Sequence, residues 1–263
     1  MTVAELHGKI SRTGTNCSDR MEDLLTSHVF GNLRYISDDK GLNQILGIAI
    51  NKEGHYLKLL GIGEWKYYFW PSFKRSEPDV YLENNKYKVI IEVKLHSGKS
   101  GAYESEDRTG EEDGEYIYRD QLAREWMDLM EKDQSKTPVL IYLTKDYLLP
   151  VDAFKQSWNE LSESKEKFDQ SIYYLSWSQI HFHLHKILEK KTDYTKYERR
   201  VLEDILQILE RRNLRRFLKI SVPEIKITSF PGRIFSPPKL ISQNYPEVKP
   251  LIKSELSWIH QRT

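Results

Sequence analysis

The sequence predicts an α/β fold: a central mixed β-sheet flanked by helices, with additional helices toward the C-terminus. Three observations predict it. Residues 79–95 read as two short strands around the polar turn Glu83-Asn-Asn-Lys86. The run Pro138-Val-Leu-Ile-Tyr-Leu-Thr144 is continuously apolar, as in a buried strand. Between them, 120–133 carries Leu122, Trp126, Leu129 and Met130 on one helical stripe.

Residues 1–18 are polar with scattered Gly and Ser, and read as a flexible lead-in. Ser18 or Asp19 can cap a helix in which Leu25, Val29 and Leu33 share a face and Glu22 falls in the first turn. Residues 42–60 suggest a helical segment and a second, weaker one, split at Lys52-Glu-Gly54. The aromatic run Trp65-Lys-Tyr-Tyr-Phe-Trp70, closed by Pro71, suits a strand antiparallel to the hairpin that follows. The stretch 97–114 is rich in Gly, Ser and acid and reads as a loop. A charged helix is expected within 151–168, a strand at 171–176, and helices over 177–190 and 194–212. From Val222 onward six prolines predict irregular or extended chain. The organisation expected is a lead-in (1–18), a core (19–176) and a C-terminal extension packed on the core (177–263).

The chemistry concentrates in the hairpin. Alternation along a strand puts Glu92 and Lys94 on one side and Val93 on the other. Asp79, after Pro78, opens the neighbouring strand and can be paired across the turn with the Glu92 region. Two carboxylates and an amine at one end of a hairpin can hold a divalent cation against a phosphodiester. Hard carboxylate oxygens favour Mg²⁺ or Mn²⁺ over metals that prefer softer ligands. The plain alternative is an ion pair between Glu92 and Lys94 on an exposed strand. Against it, Val89-Ile-Ile91 marks a buried strand, where an unused charge is costly.

Asp79 with Glu92-x-Lys94, an acidic helix before and a glutamine-bearing helix after, resembles the PD-(D/E)XK nuclease superfamily over about residues 19–176. The resemblance implies a restriction-endonuclease-like core and Mg²⁺-dependent hydrolysis of DNA, with Mn²⁺ able to substitute, leaving a 5′-phosphate and a 3′-hydroxyl. It implies that Asp79, Glu92 and the Val93 carbonyl bind metal, with Glu22 adding a contact. Lys94 would position or activate water, and Gln121 would help place the site or substrate. Lys99 and Ser100, just past Lys94, would touch the substrate backbone, and Arg124 could reach a phosphate. For Glu22 the alternative is a first-turn acid favoured by the helix dipole. For Gln121 it is a solvent-facing position, for Lys99 and Ser100 a loop, and for Arg124 a surface salt bridge. In the RecB-type branch a tyrosine stands four positions after the glutamine; here that position is Glu125, and Trp126 comes one later. Proteins of this type and size act in restriction, antiphage defence or DNA repair. The rival readings are a catalytically silent nucleic-acid-binding or scaffold subunit, an RNA-cleaving enzyme, and an interaction protein. Cutting both strands would suggest a homodimer.

Other signals point elsewhere or nowhere. Gly98-Lys-Ser100 looks like the end of a P-loop, but the glycine that motif needs would fall at Val93. His181 and His185 share a helical face without a nearby acid to complete a zinc site, so a structural role is expected. Arg199, Arg200, Arg211, Arg212, Arg215, Arg216 and Lys219 form a late basic stretch that could meet phosphates or simply face solvent. Cys17 is the only cysteine, which excludes internal disulfides and a cysteine-rich zinc site. No apolar run is long enough to cross a membrane, and a secretory signal is not evident; a cytoplasmic protein is expected. The net charge of +1 fits a nuclease that keeps several carboxylates for metal, and excludes nothing about nucleic acid.

Overall fold

The computed structural model describes residues 3–7, 17–61, 63–95, 120–161, 164–190 and 194–215. The stretch 97–114, with Lys99 and Ser100, and the proline-dotted tail lie outside these residues. The described part belongs to one compact unit, Met1–Arg216.

Five strands form one open mixed sheet in the order β1-β2-β3-β4-β5. β1 (Lys66–Phe69), β2 (Val80–Glu83) and β3 (Tyr87–Lys94) are antiparallel neighbours, joined at the β2–β3 turn where Asn84 Oδ1 accepts from the N–H groups of Lys86 and Tyr87. β4 (Thr137–Thr144) and β5 (Ile172–Ser176) run parallel to β3. The sheet therefore changes from antiparallel to parallel at β3.

Alternation along β3 divides the protein into layers. Val89, Ile91, Val93 and Leu95 face one core, with Val139, Ile141 and Leu143 of β4. Helices α2 (Cys17–Leu33), α7 (Trp177–Glu189) and α8 (Lys196–Arg211) cover that side with Leu25, Val29, Phe30, Leu184, Leu202 and Ile205. Ile90, Leu140 and Tyr142 face a second core under α4 (Gln121–Glu131), α5 (Val151–Glu160) and α6 (Lys165–Ser171). Both parallel connections, β3 to β4 and β4 to β5, thus cross on one side. One hand of crossover, applied twice along consecutive strands, produces this placement. α7 and α8 begin with full capping boxes, Ser176 with Gln179 and Thr195 with Glu198, which satisfy N-terminal donors. They share a core with α2, so residues 177–215 of the expected C-terminal extension contribute a layer of the same unit, and the rest lies outside the described residues.

Three local readings differ from expectation. Within 1–18, α1 (Val3–Leu6) packs against α2: Ala4 is buried and its N–H donates to Ser27 Oγ at 3.0 Å. Within 42–60 only α3 (Leu42–Leu46) is helical. Beyond it Ile50 bridges Tyr56 and Tyr174, around a turn where Gly54 has φ 79°. Pairing with the edge of β5 wins over weak helical periodicity. Within 151–168 the helix divides in two, with Ser164 left-handed (φ 61°) at the break. No helix among the described residues is long and apolar enough to cross a membrane.

Candidate active site

The C-terminal end of β3 collects the charges. Its second-core side reads Lys88, Ile90, Glu92, Lys94. Lys88 is buried at the far end, where its ammonium donates to the Lys132 carbonyl at the end of α4. Glu92, 1% exposed, and Lys94 stand at the near end. Lys94 Nζ lies 2.6 Å from Glu92 Oε1 and 3.6 Å from Glu22 Oε1. The strand is not an exposed one: Glu92 is buried, Lys94 is half-buried, and Glu22 joins the pair.

Asp79 is held by three backbone and ring contacts. Its Oδ1 accepts from Trp70 Nε1 at 3.1 Å, and its Oδ2 from the Val93 N–H at 2.8 Å. Its carbonyl accepts from the Trp70 N–H. Trp70 follows β1 with φ 45°, a strained conformation for a bulky residue that these bonds hold in place. Proline at 78 has a consequence for the ladder. Continuing the β2–β3 register past Val80–Ile91 sets Pro78 opposite Val93. Proline has no N–H, so β2 offers the Val93 carbonyl no ladder donor. The Asp79 side chain takes over the Val93 N–H.

Glu22 arrives from the opposite layer. It stands three residues before Leu25 and seven before Val29, so it extends the buried stripe of α2. Its Oε2 accepts from the Leu95 N–H at 2.5 Å. The helix begins at Cys17, which puts Glu22 beyond the first turn expected from the sequence. The helix dipole fades within that turn, so it does not account for this acid.

α4 supplies the remaining wall. Asp120 caps it, accepting from the Ala123 N–H at 3.1 Å, and so sets Gln121 as its first residue. Gln121 Nε2 donates to Glu92 Oε1 at 2.5 Å. One turn on, Glu125 is fully buried and within hydrogen-bond reach of the Glu92 carboxyl. Glu92 Oε2 and both Glu125 oxygens are buried without a donor among the described residues. Tyr142 of β4 stands beside Glu92 in register. Arg124 is half-buried on α4, three residues after Gln121.

Four carboxyls thus crowd one ammonium. Burial first, then the Glu92 carboxylate, pushes Asp79 well above the usual carboxylate range; Lys94 and the Val93 N–H oppose this less strongly. The same two causes raise Glu125 well above its ordinary value. Burial raises Glu22 against the pull of Lys94 and the Leu95 N–H. For Lys94, burial works against the charge, but Glu92, Asp79 and Glu22 outweigh it and raise the pKa.

The donor set has the hard-oxygen chemistry of a Mg²⁺ or Mn²⁺ site: Glu22, Asp79, Glu92 and the Val93 carbonyl. Three buried carboxyl oxygens lacking donors are what such a cation would satisfy. As they stand, no three acidic or histidine side chains among the described residues surround a common cation position. Asp79 Oδ1 and Oδ2 each accept one hydrogen bond, from Trp70 and Val93, and each keeps a further lone pair for a cation.

The sequence singled out Asp79, Glu92, Lys94, Glu22 and Gln121, and the structure brings them together. It missed Trp70, Tyr142 and Glu125 as neighbours of this cluster. The spacing of Glu125 from Gln121 was the available signal. A cleft of about 910 Å³ runs beside β1, walled by the aromatic run from Trp65 to Trp70. Its charge is mixed, Arg34 against Asp38 and Glu64. Of the late basic stretch, Arg199 donates to the Leu188 carbonyl, and Arg216 and Lys219 lie outside the described residues. His181 lies 3.4 Å from Glu210 and His185 the same distance from Glu189. Comparison with protein-family models, with curated proteins and with solved structures gave no match. What the chain does is therefore read from its own residues.

Proposed function

We propose that this chain is a divalent-cation-dependent nuclease of the PD-(D/E)XK type, hydrolysing DNA phosphodiester bonds on a restriction-endonuclease-like core. The observation that carries this reading is the meeting of Asp79, Glu92 and Lys94 at one buried point, with Glu22 and Gln121 converging from opposite layers. A buried ion-pair cluster built only for stability is a poor use of four acids and one base, because desolvation offsets the Coulombic gain.

The carboxylates of Glu22, Asp79 and Glu92, with the Val93 carbonyl, would hold the cation. When bound, Mg²⁺ or Mn²⁺ supplies Lewis acidity toward the phosphoryl oxygen and acidifies water. Lys94 keeps its proton, since three carboxyls raise its pKa. It therefore acts as a donor: it orients the attacking water and offsets negative charge gathering on the phosphate. Gln121 fixes the Glu92 carboxylate through Oε1 and lies at the start of α4, where the helix dipole favours negative charge. Trp70 fixes Asp79. Tyr142, raised by burial, stays a neutral phenol. Tyr68, exposed on β1, supports a nucleic-acid substrate by offering a ring face on which a base can stack.

A specific observation favours a second reading, a catalytically silent subunit that binds nucleic acid or scaffolds a complex. Both Asp79 oxygens are already engaged within the protein. The two readings separate on incubation with supercoiled, linear and single-stranded DNA and with RNA, in Mg²⁺, Mn²⁺ or EDTA. Cation-dependent nicking, linearisation or end-degradation of DNA, absent in Asp79→Ala, is expected. Intact substrates in every cation would refute the nuclease reading, and preferential loss of RNA would change its substrate.

A further inference from the structure

We propose that Glu125 is an additional cation ligand of this site, giving an oxygen alongside those of Asp79 and Glu92; the proposal rests on the cation-dependent reading above. The position of Glu125 is set by α4. It lies four residues after Gln121, hence on the same helical face, one turn deeper. That face meets β3 at Glu92 through Gln121, and Glu125, one turn along it, lies near enough for the Glu92 carboxylate to raise its pKa. Glu125 is 0% exposed, and neither of its oxygens has a donor among the described residues.

The partners of Glu92 show what is left for Glu125. Lys94 and Gln121 both engage Glu92 Oε1. Glu92 Oε2 and the two Glu125 oxygens are the unsatisfied acceptors, and they belong to two neighbouring carboxyls. Lys94 pairs with Glu92 and Glu22. Two neighbouring carboxyls without a donor can share a proton, or they can share a cation. Packing alone does not explain the residue. Its helical neighbours Leu122, Trp126 and Leu129 are wholly apolar and buried, and an apolar side chain would fill the space without an orphaned charge. Hard oxygens packed this closely have Mg²⁺ or Mn²⁺ as their natural complement, with any shared proton released on binding.

The test uses the full chain and Mn²⁺ alone, without DNA. Isothermal titration gives the affinity, and thermal melting with and without Mn²⁺ gives an independent measure. Wild type is compared with Glu125→Gln, which keeps the shape and removes the charge, and with Glu125→Met, which removes both oxygens at similar length. Each variant is expected to bind Mn²⁺ about 10–100-fold more weakly, the usual consequence of disturbing the surroundings of a metal. Without Mn²⁺, Glu125→Gln is expected to melt higher than wild type, because its amide can donate to Glu92. With Mn²⁺ it should gain less. If both variants bind Mn²⁺ as tightly as wild type and gain the same melting shift, while Asp79→Asn loses both, Glu125 is no ligand and the cation site stands without it. If wild type itself binds no Mn²⁺ at millimolar concentration, the cation-dependent reading fails and this proposal fails with it.

Discussion

Replacing Lys94 by methionine tests the electrostatic account of the site at its centre. The change keeps the length of the side chain and removes the ammonium that lies 2.6 Å from Glu92 Oε1 and 3.6 Å from Glu22 Oε1. At an effective dielectric of 20, the closer contact alone is worth roughly 6 kcal/mol of Coulomb energy before desolvation is counted. Removing one partner of a buried pair typically costs about 3–5 kcal/mol. Protonation sets a ceiling. A carboxyl of ordinary acidity takes up a proton for about 5 kcal/mol at pH 8, but for about 2 kcal/mol at pH 5.5. The expected loss is therefore about 3–5 kcal/mol at pH 8 and under about 2 kcal/mol at pH 5.5. For a unit of this size that is a fall in melting temperature of roughly 10 °C at the higher pH. The assay is thermal unfolding by circular dichroism in EDTA at both pH values, beside plasmid cleavage in Mg²⁺. Added Mn²⁺ should recover part of the stability and none of the cleavage, since it replaces the charge but not the donor. A variant that melts with wild type at pH 8 would refute the charge argument. One that cuts DNA at the wild-type rate would refute the role given to Lys94.

Gln121→Ala removes a donor to Glu92 and is expected to slow cleavage by roughly 10–100-fold while costing only about 1 kcal/mol in chemical denaturation. Trp70→Phe keeps the ring and deletes the N–H that holds Asp79 Oδ1. Stability should fall by about 1 kcal/mol, and weaker Mn²⁺ binding in calorimetry is expected because Asp79 is no longer fixed. The raised values of Asp79, Glu125 and Glu22 give the metal-free protein a signed pH dependence. Below about pH 4 the folded and unfolded chains are both protonated at these groups, and their contribution to stability is complete. As pH rises the unfolded chain loses these protons first, and stability drains away until the folded values are passed. Melting in EDTA should thus fall between pH 5 and pH 8, and a flat or rising profile from these groups would contradict the assignment.

Local chemistry carried much of the site. Strand alternation is a short-range property, so Glu92 and Lys94 could be set on one side from five residues of sequence. The polar turn at Asn84 and the proline before Asp79 bounded the other strand. Gln121 was singled out by the family resemblance, on an amphipathic helix that the sequence placed from Asp120 onward. What could not be read is how the helices dock. Glu125 reads locally as a charged position in a helix, and its burial beside Glu92 depends on α4 lying across β3. Glu22 was read as a first-turn acid because its helix starts earlier than Ser18 or Asp19 implied. The segment after α3 was misread for a related reason. Ile50 has backbone partners in Tyr56 and Tyr174, and the second of these is far away in sequence. Trp70 gave no sign of its left-handed backbone, which is held by bonds to Asp79.

The position of the cluster follows from where the sheet stops being regular. β2 pairs with β3 only as far as Val80 and Ile91, while β4 continues beside β3 to Lys94. One edge of the last residues of β3 is therefore paired and the other is not. The β2 ladder ends at Val80, and beyond it the Asp79 side chain accepts the Val93 N–H, while Pro78 has no N–H to offer the Val93 carbonyl. The same gap leaves the Leu95 N–H to Glu22, from the layer on the opposite face. Two backbone donors at a frayed strand end thus recruit two carboxylates, one from each direction. Glu92 points between them because the alternation of β3 allows it nothing else. Lys94 follows on the same side and pairs with Glu92 and Glu22. The acids are held by backbone geometry as well as by pairing with Lys94. That arrangement is costly for folding and useful for holding a cation, and the imbalance between its carboxyls and its amine is what favours a functional role over a structural one.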